Sequence, residues 1–108
     1  MALQVAALSI ELIEALRPLV GRIKARDRSL SDQLARAASS VALNIGEAQQ
    51  SDPGNRRARL FSAAGSASES RTAIRVAVAW GYVGESEGAI ALALVDRIVA
   101  ILWKMTRA

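Results

Sequence analysis

This sequence predicts an all-α fold, an antiparallel up-down-up-down four-helix bundle, on three observations. Apolar residues recur at steps of three and four along nearly the whole chain. Three short breaks, one charged and two rich in glycine or proline, divide that rhythm into four segments. The hydrophobic 52% of the chain is mostly Leu, Ile, Val and Ala, with only 4% aromatics, a composition suited to closely packed helices. At 108 residues the chain can close one core but not two, so residues 1–108 are expected to form a single domain.

The first segment, about residues 2–25, carries Val5, Leu8, Leu12, Leu16, Leu19 and Ile23 in one arc, with Glu11, Glu14 and Arg22 opposite. Pro18 lies on the polar side, where it predicts a kink and leaves a break open. "RDRS" interrupts the rhythm, and Ser29 with Asp32 reads as a variant capping box for a second helix, about residues 30–50. Its stripe is Leu30, Leu34, Ala38, Val41 and Ile45. "SDPGN" turns the chain into a third helix, about residues 55–80, which "GYVGES" closes before a fourth at about 86–106. Connections of about four to six residues make successive helices antiparallel.

The fourth helix has a core stripe of Ala91, Leu94, Val95, Ile98, Ile101, Leu102 and Met105. Leu92, Val99 and Trp103 widen its apolar arc to roughly 220° by helical projection. A helix with one wet face needs little more than about 100° to 140°. The surplus predicts a second burial surface, most simply another copy of the chain, with Leu92, Val99 and Trp103 at the interface. Scattered exposed apolar side chains are the ordinary alternative.

Composition narrows the chemistry. Without cysteine there is no disulfide, thiolate nucleophile or cysteine-based metal site. Without histidine the commonest general base and metal ligand are gone, so the expectation is a non-enzymatic protein with no cofactor and no metal. The formal charge is +4, and among the 14 basic residues only Lys24 and Lys104 are lysine. Arginine excess suits phosphate recognition, and equally suits a GC-rich coding sequence. No apolar run reaches the roughly 18 residues of a membrane span, and the first residues lack a secretory signal pattern. A cytoplasmic location without membrane association is expected.

One stretch does not fit a plain amphipathic helix. In "SSVALNIGEAQQ", Gln33, Ser40, Asn44 and Glu47 project as a row along one edge of the apolar stripe, and Gly46 sits in the helix interior. In the third helix Ser62, Ser66 and Glu69 form a matching row. A hairpin turning near Pro53 brings Asn44 level with Ser62 and Ser40 level with Ser66. Ala63, Ala64, Gly65 and Ala67 permit close backbone approach there, and Gly46 would do so from its own side at about 1 kcal/mol relative to alanine. The rows then satisfy each other as a structural polar network. A catalytic pair or dimetal centre at Glu47 and Glu69 is the competing reading. Dimetal bundles use four carboxylates and two Glu-x-x-His motifs, and this chain has no histidine. A tight seam also leaves no cleft for an acid pair.

The ordered set Gln33–Leu34, Arg36–Ala37–Ala38, Asn44–Ile45 with Glu47, Gly65–Ser66 with Glu69, and Gly81–Tyr82 resembles the four-helix-bundle family of 23S rRNA intervening-sequence proteins. That family is related to the accessory proteins of diversity-generating retroelements. The likeness covers the second and third helices, about half of the chain; elsewhere it rests on length and apolar rhythm. Gly46 stands where the family usually has alanine, Ala48 where it has glycine, and Trp80 where it has leucine. "QQSDPGN" replaces a loop that tends to be basic, and Arg56 and Arg59 fall about where aromatics are frequent. The resemblance implies a homopentameric ring, a nucleic-acid-associated role, and a reverse transcriptase or another protein as a further partner.

Arginines supply the candidate nucleic-acid surface. Arg57, Arg71 and Arg75 project to one side of the third helix with Ala64 and Ser68 between them, and Arg56 and Arg59 lie near its start. Arg22, Lys24, Arg26 and Arg28 cluster at the end of the first helix. Arginines at a helix N-terminus oppose the macrodipole, so Arg56, Arg57 and Arg59 need compensation from outside. Aromatics look scarce in these patches, which points to backbone-directed binding of RNA or DNA with little sequence selectivity. Basic faces that are merely solvated, or paired within the assembly, are the plain alternative.

Overall fold

A single extended residue, Asp27, separates the first two helices. The structure, a computed structural model describing residues 2–107, holds four helices and, among those residues, no strand. They are α1 (Ala2–Arg26), α2 (Arg28–Gln49), α3 (Pro53–Ala79) and α4 (Glu85–Thr106). Asp27 still donates its N–H to Ile23 O, at 2.7 Å, while its carboxylate accepts the Leu30 N–H at 3.0 Å. It therefore ends α1 and caps α2 together. This corrects the assignment of the cap to Ser29, which lies inside the first turn.

Pro18 does not break α1, which is helical on both sides of it. The ring and the Glu14 carbonyl four residues earlier, which loses its donor, both belong to exposed residues, so water can serve that carbonyl. α3 begins earlier than expected, because Asp52 caps it and Pro53 takes the first helical position, where no N–H is needed. Hydrogen bonds from the Asn55 backbone at 3.0 Å and side chain at 2.8 Å hold the Asp52 carboxyl below its ordinary value.

α3 ends in a Schellman motif. Tyr82 N–H donates to Ala77 O and Gly81 N–H to Val78 O, both at 2.9 Å, with Gly81 at φ 77°. That left-handed residue is why glycine precedes the tyrosine. At the start of α4 the Gly84 N–H donates to Glu87 Oε1 at 3.1 Å, half of a capping box.

Every helix packs against its neighbours in the chain, α2 with α3 most extensively, and α1 closes on α4. The particle measures 42 × 22 × 18 Å. Its length is that of the 27-residue α3 at about 1.5 Å per residue, and its cross-section is about two helices by two. All the stripe residues expected in α1 and α2 are buried, as are Ala91, Val95, Ile98 and Leu102 of α4. α3 contributes mostly small side chains, with Ala63, Ala67 and Ala77 wholly buried. Buried hydroxyls find backbone acceptors: Ser70 donates to Ser66 O in its own helix at 2.9 Å, and Ser31 reaches across to Val20 O of α1 at 3.1 Å.

The glycine that permits close approach is Gly88. A Cβ there would lie 2.5 Å from Val78 Cγ2, so α3 and α4 can meet at that point only without a side chain. Gly46 and Gly65, expected to serve this purpose between α2 and α3, are exposed, with nothing within 4 Å of the position of a Cβ. The small buried side chains of these two helices are alanines instead, Ala37 and Ala38 on α2 and Ala63 and Ala67 on α3.

Candidate nucleic-acid interface

Where α2 crosses α3, Ser66 Oγ donates to Ser40 Oγ at 2.8 Å. Asn44 Nδ2 donates to Ser40 Oγ at 3.0 Å and to Ser40 O at 2.9 Å. The polar row is thus a three-residue chain at half-buried positions. Gln33, Glu47, Ser62 and Glu69, expected in the same network, are exposed and stand outside it. Helical projection places them at the edge of the stripe, and at these four positions that edge faces water. Glu47 instead borders a surface depression with Arg36, Leu43, Asn44 and Arg59. Among the described residues, no three acidic side chains gather as a metal centre.

The arginines of α3 divide into two groups. Arg56 turns back, and its Nε donates to Ala48 O at 3.3 Å in the last turn of α2. This is the outside compensation that its helix position needs, since a carbonyl at a helix C-terminus attracts a cation. Arg71 reaches α4, with Nε 3.1 Å from Asp96 Oδ1, in an ion pair whose N–H is poorly aligned. It is thereby drawn away from the solvent-facing arginine stripe. Arg57, Arg59 and Arg75 are exposed, and among the described residues no carboxylate pairs with them. At the other end of the bundle Arg22 pairs with Glu87. That hydrogen bond, reinforced by the Gly84 N–H, holds the Glu87 carboxyl below its ordinary value and raises the Arg22 guanidinium.

The scarcity of aromatics is corrected by the fold. Arg57 lies over the ring of Phe61 at 5.5 Å, and Arg107 over the ring of Trp103 at 4.0 Å. Both pairs face one open groove of about 720 Å³ between α3 and α4, floored by Ala64 and Val99. Phe61 and Arg107 were not singled out from the sequence. The i, i+4 spacing of Arg57 with Phe61 and of Trp103 with Arg107 was the available signal. At the far end of α3, Trp80 stacks on Tyr82 with ring centroids 6.4 Å apart, and Arg26 lies 5.5 Å from the centre of the Tyr82 ring.

The surplus apolar arc of α4 is partly absorbed by the chain's own bundle. Leu92 and Val99 are half-buried and pack against its own core, while Trp103 remains exposed. No helix of the described residues is long and apolar enough to cross a membrane.

Comparison with known proteins agrees with this architecture. A protein of unknown function from the S23 ribosomal protein family of Bacteroides thetaiotaomicron VPI-5482, solved at 1.70 Å, superposes with a TM-score of 0.89. The alignment covers 96% of this chain and 99% of that one at 19% sequence identity, so the likeness is one of fold. No curated protein matches the chain. The family model of the 23S rRNA-intervening sequence protein matches residues 1–104. With nearly its whole length matched, the chain belongs to the 23S rRNA-intervening sequence protein family.

Proposed function

We propose that this protein is a non-enzymatic, homo-oligomeric helix bundle that associates with RNA or DNA through the arginines of α3. The observation that carries the reading is the exposure of Arg57, Arg59 and Arg75 without carboxylate partners among the described residues, on a chain of formal charge +4. Guanidinium groups held on a rigid helix attract phosphates over several ångströms, and repetition around a ring multiplies the field. The helices run up-down-up-down in this reading. Support comes from the pairing of Val20 with Ser31, Ser40 with Ser66, and Arg71 with Asp96 across successive helices.

Five copies, the count that the family resemblance suggests, associate through exposed apolar side chains. Leu3, Ile10, Leu43 and Ile90 offer such surface, and Leu92 and Val99 offer less of it because their own core already covers them. Light scattering tests the assembly: a pentameric mass is expected, and a monomer contradicts it. The protein acts in the cytoplasm, and an RNA-carrying protein such as a reverse transcriptase meets the same basic surface. The absence of histidine and cysteine, with Glu47 and Glu69 both exposed, supports a role without catalysis.

A second reading, a structural or protein-interaction bundle, is favoured by Arg22, Arg56 and Arg71, which are already engaged within the protomer. Filter binding of labelled RNA across a salt series separates the two. Phosphate-driven binding weakens steeply as salt rises. Binding that is absent or indifferent to salt supports the second reading.

A further inference from the structure

We propose that the α3–α4 groove takes unpaired bases of a single-stranded nucleic acid, stacked on Phe61 and Trp103, with Arg57 and Arg107 on the flanking phosphates. This rests on the nucleic-acid reading above and adds the form of strand that is bound. Three observations carry it. Phe61 and Trp103 are 51% and 54% exposed, although each is large enough to complete a core. They come from different helices, yet face one groove of about 720 Å³. That volume lies within the roughly 300–1,000 Å³ of typical ligand sites. Among the described residues the lining also holds two arginines and no carboxylate.

A guanidinium over an aromatic ring is held by the ring's electron-rich face, and a planar base can take that same face. When the base arrives, the arginine at that ring swings outward to the adjoining phosphate. The groove thus offers stacking surface and positive charge together, which is the combination single-strand sites use. A duplex cannot use the aromatic faces, because its bases are stacked on one another. A second copy of this chain fits the groove only if it brings a carboxylate to each of the two guanidiniums, since apolar surface alone would bury them without neutralising them, whereas a nucleic-acid strand carries a phosphate at every nucleotide.

The test compares the full-length protein with Phe61→Ala, Phe61→Tyr and Trp103→Ala variants. Each is titrated with labelled oligouridylate and with an RNA duplex of equal length, at matched salt. The oligouridylate should bind more tightly than the duplex. Each alanine variant should weaken oligouridylate binding by roughly 5- to 100-fold and leave duplex binding and the salt slope unchanged. Phe61→Tyr should retain wild-type binding. In a Trp80→Phe background, saturating oligouridylate should quench Trp103 fluorescence, which decides the matter if Trp103→Ala fails to fold.

If wild type binds RNA but the alanine variants weaken both forms equally, or neither, the groove proposal is overturned while the nucleic-acid reading stands. A Trp103→Ala protein of reduced solution mass makes the groove a subunit interface, which also overturns it. No binding of either RNA form by wild type overturns both.

Discussion

Ser66 donates its hydroxyl hydrogen to the Ser40 hydroxyl, 2.8 Å away on the neighbouring helix. Ser40 also accepts from Asn44, so one oxygen ties two turns of α2 to the middle of α3. Replacing Ser66 with alanine should cost about 0.5–1.5 kcal/mol, the usual net worth of such a bond. Asn44→Leu should destabilise as well, because it removes the amide that anchors Ser40. A Ser40→Ala/Ser66→Ala double-mutant cycle in urea should show coupling of about 0.5 kcal/mol or more. Glu69→Gln, outside this chain, should leave the midpoint unchanged. Additive serine substitutions would mean that water replaces the bond without cost.

Gly88 and Gly46 should respond to alanine with opposite signs. Gly88→Ala forces a methyl group to within 2.5 Å of Val78 Cγ2, so the helix contact must open, at about 1–3 kcal/mol. At Gly46 the helix is exposed and the space is empty, so alanine should stabilise by about 0.5–1 kcal/mol through helix propensity. Chemical denaturation of the two variants checks this. A destabilised Gly46→Ala protein would show that this glycine is covered in the assembled protein.

Gly81→Ala should lower the melting temperature. The residue sits at φ 77°, where an L side chain costs about 1–2 kcal/mol. The Tyr82 N–H bond to Ala77 O depends on that conformation. Gly81→Asn, which tolerates the left-handed region better, should recover part of the loss.

Acid should weaken the bundle through two carboxylates. Glu87 is depressed below the ordinary glutamate value, first by the hydrogen bond from Arg22 and then by the Gly84 N–H. Asp52 is depressed below 3.8 by the Asn55 backbone and side chain. A depressed folded-state value means that the stabilisation is complete above the unfolded value and is lost as pH falls through the folded one. The urea midpoint should therefore be flat from pH 7 to about 5 on the part of these groups and fall below about 4.5. Glu87→Gln should be less stable at neutral pH and show a shallower acid limb. An acid limb identical to wild type would mean that the Arg22 contact does not persist in solution.

Helix number and the buried faces of α1, α2 and most of α4 were legible, because a period near 3.6 with large aliphatic residues leaves one way to bury them. The caps were legible only in kind. "RDRS" and "SDPGN" offer several acceptors, and Asp27 and Asp52 prevailed because each leaves the preceding segment with an extended backbone. Which glycine sits at a helix contact could not be read, since Gly46, Gly65 and Gly88 differ in what crosses them rather than in local sequence. The same holds for the site. Arg57 and Arg75 could be placed on one face by projection, but the loss of Arg71 to Asp96 and the joining of Phe61 with Trp103 depend on α4 lying alongside α3.

The salt dependence of RNA binding, measured for wild type beside an Arg57→Gln/Arg59→Gln/Arg75→Gln protein, decides whether the α3 arginines hold phosphate. Wild-type affinity should fall steeply with salt. The variant should bind more weakly, with a log–log slope shallower by about one for each phosphate contact removed. Equal slopes in the two proteins would contradict it, because the phosphates would then be held elsewhere or not at all.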